Sequence, residues 1–336
     1  MTSENNSLLL NLQEVDKTTG EVVKLDVNST STGQPVALMR LGLFVPTLKS
    51  TGKSKANRKN VTDATEELVQ LSIAKSEGYT DVKITGSRLD MDTDFKVWLG
   101  IIRSMSEYGV KSDTLELSFV EFVKMCGFDS RRSNKKMRDR ISNSLFKLAS
   151  VTLKFQSETK GWTTHLVQSA YYDINEDIVE IKAEPKLFEL YHMDRRVLLR
   201  LKAIDALQRK ESAQALYTYI ESLPPNPAPI SMKRMRDRLN LTSNVYTQNH
   251  TVRKAMEQLR DIGYLDYTEF KRGRATYFSV HYRNPKLISG PVKVPRNEEE
   301  EKAPEQNYDE VIKALKAAGI DPLKLAEALS AMKPEN

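Results

Sequence analysis

Apolar residues in the middle of the chain follow two different periods. In the segment 94–109 they fall on one helical stripe, which consists of Phe95, Trp98, Leu99, Ile102 and Met105. This spacing is that of an amphipathic helix. Segments such as TLELS (114–118) and ATYFSVHY (275–282) instead alternate apolar and polar residues, as half-buried strands do. The chain therefore mixes helices with strands, and we expect an α+β fold.

One order of elements occurs twice along the sequence. In the first unit, Ser118 and Glu121 have the capping-box spacing that begins a helix, and a polar turn, a second helix and two strands follow. In the second unit, Ser231 caps a helix, and the closing strands are joined by KRGR (271–274). Strand, helix, turn, helix, strand, turn, strand is the order of the winged helix-turn-helix. We therefore predict two tandem winged-helix domains.

Each predicted unit has an apolar inner face. The residues expected to face the two cores are Met137, Ile141, Leu145 and Leu148, and then Met232, Met235, Leu239, Val252, Met256, Leu259 and Ile262. In the first unit we expect TTHLVQSAYYD (163–173) to be a single returning strand. We expect DIVEIKAE (177–184) to extend the same sheet.

Two nearly identical basic heptapeptides lie about a hundred residues apart, KKMRDRI (135–141) and KRMRDRL (233–239). When the two units are aligned by their capping serines, the heptapeptides do not occupy equivalent positions. The first lies on the second helix of its unit, and the second lies on the first helix of the other unit. The repeat is therefore one of structural units and not of this heptapeptide.

Composition and pattern divide the chain into five predicted parts. Residues 1–60 form an N-terminal arm that is partly disordered, in which 34–46 is apolar enough for a strand. The winged-helix domains cover 61–205, with a helix from Asp63 to Lys75, and 206–285. An acidic linker (286–306) and a C-terminal helix pair (307–336) follow. Marginal helices in a loosely structured tail are the alternative for the last part.

The net charge of +6 is unevenly distributed. Residues 297–336 hold ten acids and five lysines, which leaves the rest of the chain at +11. Residues 129–154 carry eight basic residues against two acids, and residues 231–283 carry eleven against five. A basic body with an acidic tail favours a polyanionic partner, most often nucleic acid. A soluble protein with a solubilising tail and solvated basic faces is the alternative.

Several classes of protein are disfavoured by the sequence. No segment approaches the ~20 apolar residues of a membrane span, no secretory leader is recognisable, and the lone Cys126 fits a reducing cytoplasm.

TLKSTGKS has Thr47 where a phosphate-binding loop needs glycine. DMDTDF (90–95) has Phe95 where a calcium loop needs glycine, so helix capping by Asp92 or Thr93 is expected. The four histidines are scattered, so we expect no metal, no cofactor and no catalytic site.

Candidate DNA contacts follow from the winged-helix geometry, in which the second helix enters the major groove and the first crosses the backbone. Arginine can bridge guanine, and asparagine or glutamine can read adenine, whereas the first helix and the wing tip suit phosphates. The second unit offers Gln248, Asn249, His250, Arg253, Lys254 and Glu257 for reading, Lys233, Arg234, Arg236 and Arg238 for phosphates, and Lys271, Arg272 and Arg274 at the wing. The first unit offers Arg131, Arg132, Lys135, Lys136 and Arg138.

Long motifs in the chain resemble a known family. They are QPVALMRLGLFVPTLKS, TDATEEL, ITGSRLDMDTDFKVWLGII, ESAQALYTYIESLP, QNHTVRKAMEQLRDIGYLDYTE and KRGR. Over roughly residues 34–285 the sequence resembles the RepA initiators of RepFIB-type plasmids, phage-plasmid RepA and, more distantly, RepE of the F plasmid. The resemblance implies a protein without enzymatic activity that binds repeated double-stranded sites (iterons) at a plasmid origin and starts theta replication.

The same resemblance implies partners and positions. Monomers bind iterons, whereas dimers joined through the first winged domain repress their own gene. Host chaperones shift dimers to monomers, and the initiator DnaA and the replicative helicase are expected partners. The reading helix corresponds to Asn249–Leu259, the wing to Lys271–Arg274, and the DNA face of the first domain to Arg131–Arg140. A winged-helix transcriptional regulator without a replication role, and a nicking initiator, remain the alternatives.

Overall fold

The computed structural model describes residues 13–15, 22–24, 31–47, 61–63, 79–108, 114–129, 134–173, 175–184, 187, 191 and 196–284. By its internal contacts the chain divides into a compact body of residues 1–291, which contains both of the repeated units, and a separate C-terminal body of residues 292–336. The predicted linker and helix pair after residue 285, most of the helix predicted from Asp63, and Arg131 and Arg132 lie outside the described residues.

Helices and strands alternate through the described part, which confirms the mixed α+β class. The helices are α1 (Val36–Arg40), α2 (Asp94–Tyr108), α3 (Phe119–Met125), α4 (Lys135–Ser150), α5 (Leu201–Ala206), α6 (Glu211–Glu221), α7 (Met232–Leu239) and α8 (Val245–Asp261). The strands are β1 (Gln13–Val15), β2 (Val22–Lys24), β3 (Ser31–Pro35), β4 (Phe44–Val45), β5 (Val61–Asp63), β6 (Asp81–Thr85), β7 (Leu89–Asp90), β8 (Thr114–Ser118), β9 (Thr152–Gln156), β10 (Gly161–His165), β11 (Ser169–Asp173), β12 (Ile178–Lys182), β13 (Arg196–Arg200), β14 (Ile230–Ser231), β15 (Leu265–Arg272) and β16 (Ala275–Arg283).

The element order that the sequence predicted is present in both places. Helix α2, strand β8, helices α3 and α4 and strands β9 and β10 follow one another, and α6, β14, α7, α8, β15 and β16 repeat that order. The capping box of Ser118 and Glu121 is formed, and Ser231 caps α7. The two heptapeptides lie on α4 and α7, the second and first helices of their units, as predicted.

Strand pairing differs between the two units. In the second, β14, β16 and β15 form one antiparallel sheet. In the first, β10, β9, β6 and β5 form one sheet, whereas β8 pairs with β12 in a separate sheet that ends in β11. The prediction of one continuous strand over 163–173 is therefore wrong. Leu166 and Val167 are consecutive and both buried, which breaks the two-residue alternation of a strand.

The segment 31–47 packs into the body of the protein, although it was predicted to be part of an arm. The strand expected over 34–46 is instead a strand, a helix and a strand, namely β3, α1 and β4. In α1, Ala37, Leu38 and Met39 are all buried. A short apolar run that is buried on every side has no readable period, so pattern alone cannot distinguish helix from strand.

Three arginines, which we call the arginine junction (Arg40, Arg88 and Arg238), tie the segment 31–47 and the start of β7 to the second unit. Arg238 is 5% exposed and donates to Met39 O (3.2 Å), Phe44 O (2.9 Å) and Thr218 Oγ1 (3.2 Å). These bonds hold the last turn of α7 against both the N-terminal segment and α6.

The other two members of the arginine junction bind the ends of helices. Arg40 donates from Nη2 to Ser222 O (2.8 Å), at the C-cap of α6. Arg88 donates from Nη1 to Asn240 O (2.8 Å), at the C-cap of α7, and from Nη2 to Pro46 O (2.8 Å). Helix C-termini carry carbonyls without intrahelical donors and a partial negative charge, so guanidinium groups are favourable there.

Helix α4 is anchored by charged residues around the start of α2. Lys147 Nζ lies 3.0 Å from Asp90 Oδ2 and 2.8 Å from Asp94 Oδ2. Asp90 Oδ1 accepts hydrogen bonds from the N–H groups of Thr93 (2.7 Å) and Asp94 (3.3 Å). Asp90 therefore accepts from two N–H groups at the start of α2, while the side chains of Asp92 and Thr93, which were predicted to cap this helix, both bind Arg140 of α4.

Hydrogen bonds and neighbouring charges shift the pKa values of the two acids in opposite directions. Burial, reinforced by the neighbouring charge of Asp90, raises the pKa of Asp94 to about 6. Burial also acts to raise the pKa of Asp90, but hydrogen bonds from Thr93 and Asp94 and the charge of Lys147 hold it below its ordinary value. The pKa of Lys147 is raised, since these carboxylates outweigh its own burial.

Helices α2 and α3 pack through a glycine. A Cβ atom at Gly100 would lie 2.4 Å from Cys126 Sγ, so only glycine permits this approach. Cys126 is buried as the sequence indicated, and burial raises the pKa of its thiol.

The first prediction concerns Arg238. Replacing it with alanine should lower the free energy of unfolding by about 3–5 kcal/mol, because three buried acceptor oxygens lose a charged donor. Lys233→Ala, on the exposed face of the same helix, should change it by less than about 0.5 kcal/mol. Urea unfolding of both variants measures the difference, and equal losses would contradict the buried position of Arg238.

The second prediction concerns Asp94. Because its folded pKa is raised, the stability that the protonated acid contributes is present below pH 3.8 and is lost as pH rises through about 6. Asp94→Asn removes this dependence. The stability of the variant relative to the unsubstituted protein should therefore rise by about 2 kcal/mol between pH 4.5 and pH 7.

Unfolding free energies across this pH range measure the effect. Asp92→Asn is the matched control, because its carboxylate is 44% exposed. A difference between Asp94→Asn and the unsubstituted protein that stays constant with pH would show that Asp94 titrates normally.

Candidate nucleic-acid interface

Helices α7 and α8 are joined by a tight turn whose ends are both capped. Helix α7 is followed by its C-cap residue Asn240, which adopts the left-handed conformation at φ 46°, a conformation that asparagine tolerates better than most residues. Helix α8 begins after Asn244, whose side chain accepts from Thr247 N at 2.9 Å. Val252, Met256 and Leu259 are buried, as predicted. The opposite face of α8 is directed to solvent.

The outward stripe of α8 begins earlier than the sequence suggested. The predicted reading helix started at Asn249, but α8 starts at Val245, and Tyr246 is 85% exposed. Tyr246, His250 and Arg253 lie at positions i, i+4 and i+7 and therefore share one face. The signal that would have located Tyr246 is the Asn244 cap, which sets the first turn of the helix.

Two predicted reading residues are partly engaged inside the turn. Gln248 Nε2 donates to Leu241 O (3.1 Å) and Ser243 O (2.6 Å), so its amide closes the turn and is not free for a base. Asn249 is half-buried, and its Oδ1 atom is shielded from solvent without a partner among the described residues. His250 and Lys254 are exposed.

Arg253 is held by the neighbouring hairpin. Its Nε atom lies 2.9 Å from Glu269 Oε1 and 3.0 Å from Oε2, and its Nη2 atom lies 2.7 Å from Oε1. The hydrogen bond and charge of Glu269 raise the pKa of Arg253. The ion pair connects α8 to β15 at the exposed edge of the unit.

The basic residues of α7 do not form one phosphate-facing surface. Lys233 is exposed and pairs with Asp237 at 2.9 Å, Arg234 lies over the ring of Tyr219, and Arg236 is half-buried. The prediction that Arg238 faces phosphate is wrong, because its guanidinium is buried in the arginine junction.

The β15–β16 hairpin presents the predicted wing. Its turn contains Gly273 in the left-handed region at φ 60°, followed by Arg274. Lys271 and Arg272, the last two residues of β15, pair in register with Thr276 and Ala275. All three cations are exposed at the hairpin tip.

In the first unit the candidate residues lie at the start of α4. Asn134 caps the helix by accepting from Met137 N at 3.1 Å, and Lys135 and Lys136 are exposed beside it. Arg138 is half-buried, with its guanidinium 5.4 Å from the centre of the Phe119 ring. The predicted face is therefore represented here mainly by the two lysines.

The first turns of α4 and α8 share an electrostatic feature. Neither contains an acidic residue, although helix N-termini favour negative charge. In α4 the first turn holds two lysines instead. A helix N-terminus with adjacent cations is suited to binding an anion such as phosphate.

Two other features are absent from the described residues. No helix among them is long and apolar enough to cross a membrane. No group of His, Cys, Asp or Glu side chains within the described ranges is arranged to hold a metal ion.

A family model and a solved structure match parts of this chain. The family model described as Initiator Replication protein, WH1 matches residues 81–221. Domains 2 and 3 of RctB match with a TM-score of 0.45 and 12% identity, over 74% of this chain and 99% of that chain.

Relatives by sequence cover most of the chain. RepFIB replication protein A of Escherichia coli (strain K12) is 58% identical over 291 residues, covering 85% of this chain and 88% of that protein. Replication protein RepA of Salmonella typhi is 54% identical over 314 residues, covering 92% of this chain and 90% of that protein. The chain therefore belongs to the family of plasmid replication initiators that includes RepFIB replication protein A.

Proposed function

We propose that this initiator binds repeated double-stranded DNA sites, iterons, at a plasmid origin through two tandem winged-helix domains. The observation that carries the proposal is the placement of an exposed stripe on α8 beside a hairpin tip with three exposed cations. In a winged helix, the second helix enters the major groove while the wing contacts the flanking backbone or minor groove. Residues 206–285 are the proposed principal reading domain.

The first domain, proposed as residues 61–205, contributes a second DNA contact through the start of α4. Its repeated element order and the exposed Lys135 and Lys136 support this role. These lysines suit phosphate contacts, which position a protein on the duplex without reading its sequence. Sequence discrimination is then assigned mainly to α8.

Self-association through the first domain is the second part of the proposal. Strand β11 lies at the edge of its sheet, and Tyr171 and Tyr172 are 55% and 43% exposed. An edge strand offers backbone groups to a second chain. A dimer formed there would repress the protein's own gene, whereas monomers bind iterons. Host chaperones, DnaA and the replicative helicase are the proposed partners.

We propose no catalytic step for the chain. A nicking initiator would instead cut one strand and relax supercoiled DNA. Incubating the protein with supercoiled origin DNA and a divalent metal ion distinguishes the two, since any relaxed product contradicts a purely binding role.

The third prediction tests replication itself. A plasmid that carries this gene, its flanking DNA and a selectable marker, and that has no other replication origin, should replicate in the host. The same plasmid without the repeated flanking sites should fail. A transcriptional regulator without a replication role would repress its promoter in both cases and support replication in neither.

The fourth prediction concerns the DNA contact. Two winged domains occupying successive major grooves should protect about 20 bp per monomer. If six to ten cations meet phosphates, log K should fall with log salt at a slope of about −5 to −9. Footprinting and binding titrations over a salt series measure both. Protection of half that length would contradict docking by two domains.

A further inference from the structure

We infer that Glu269 is a positioning residue for base recognition, which fixes the guanidinium of Arg253 so that its outer end faces a guanine. The inference rests on the proposed binding of α8 in the major groove. It assigns to a wing-strand carboxylate a role in sequence reading, although the residue itself need not contact DNA.

The bonding pattern leaves a defined part of Arg253 available. Glu269 occupies Nε and one proton of Nη2. A guanidinium has five N–H donors, so both protons of Nη1 and the second proton of Nη2 remain without a partner among the described residues. The two terminal nitrogens can together donate to guanine O6 and N7, which is the commonest specific contact of arginine with DNA.

Both partners are mounted on well-supported elements. Arg253 follows the buried Val252 on α8 and precedes Ala255 and Met256, which are also buried. Glu269 lies directly opposite Phe278 in the hairpin, and Phe278 is fully buried. Residues directly opposite in an antiparallel pair point to the same face of the sheet, so Glu269 is directed toward the side that packs against α8.

Stability does not account for this pair. The side chains of Arg253 and Glu269 are 44% and 32% exposed, and exposed ion pairs contribute little to folding. The carboxylate also lies on a surface proposed to meet phosphates, where a negative charge weakens binding to every sequence. Glu269 would therefore lower the affinity for every DNA sequence while it orients Arg253 for one base. This combination increases discrimination, because specificity is the difference between the affinities for two sequences.

The test compares single variants on a panel of duplexes. The panel contains the site protected in the footprint, the same site with each G·C pair replaced in turn, and an unrelated duplex of equal length. The variants are Arg253→Ala, Glu269→Ala and Glu269→Gln. Asp261→Ala, which removes an exposed acid from the last turn of the same helix, is the charge control.

Arg253→Ala should abolish discrimination at one G·C pair, a loss of about tenfold. Glu269→Ala should lose discrimination at that same pair while binding the unrelated duplex as tightly as before or more tightly. Glu269→Gln keeps an acceptor oxygen and should lose less. Asp261→Ala should retain discrimination at every pair.

Two results would overturn the inference. In one, Glu269→Ala binds all duplexes more tightly but keeps full discrimination at the Arg253 pair, so the carboxylate acts only as a charge. In the other, Glu269→Ala loses discrimination evenly at all pairs, so its role is structural, which a lowered unfolding midpoint would accompany. Failure of the unsubstituted protein to protect any site would instead overturn the proposed function, and the inference with it.

Discussion

The buried guanidinium of Arg238 is the contact on which the placement of the candidate reading helix depends. It binds two carbonyls of the segment 31–47 and a hydroxyl of α6 from the last turn of α7. Arg88 binds Asn240 at the end of that turn, and Gln248 then closes the connection to α8. The end of α7, from which the turn leads into α8, is therefore held by bonds to residues more than 190 positions earlier in the chain.

The same arginine shows where charge counting fails. Residues 231–283 hold eleven basic residues, yet Arg238 is buried and Arg283 donates to Ile220 O at the end of α6. A sequence count treats every cation as available for phosphate. The helical spacing indicated that Arg238 is buried, since it follows the buried Met235 by three residues and so lies on the same face of α7. We nevertheless predicted that Arg238 is exposed, because charged residues are seldom buried.

Local features of the fold were predictable, and non-local ones were not. The periods of α2, α4 and α8, the helix caps at Ser118 and Ser231 and the hairpin turn at Gly273 depend on residues within a few positions of each other. The pairing of β8 with β12 joins residues about sixty positions apart, and no local pattern specifies such a partner. Likewise, the Arg253–Glu269 pair requires the hairpin to fold back on α8, which spacing alone does not reveal. Site residues were accordingly predictable as a surface but not as a hydrogen-bonded arrangement.

The electrostatics of the exposed surface favour a polyanion more strongly than net charge does. Lys135 and Lys136 lie at a helix N-terminus, where the helix dipole disfavours cations. Lys271, Arg272 and Arg274 crowd one hairpin tip, where they repel one another. Neither arrangement improves folding, but both become favourable when phosphates approach, because one anion relieves several repulsions together. Glu269 is the exception in this pattern, since it pairs with Arg253 on the exposed face of α8, where Lys254 and the hairpin-tip cations add only positive charge.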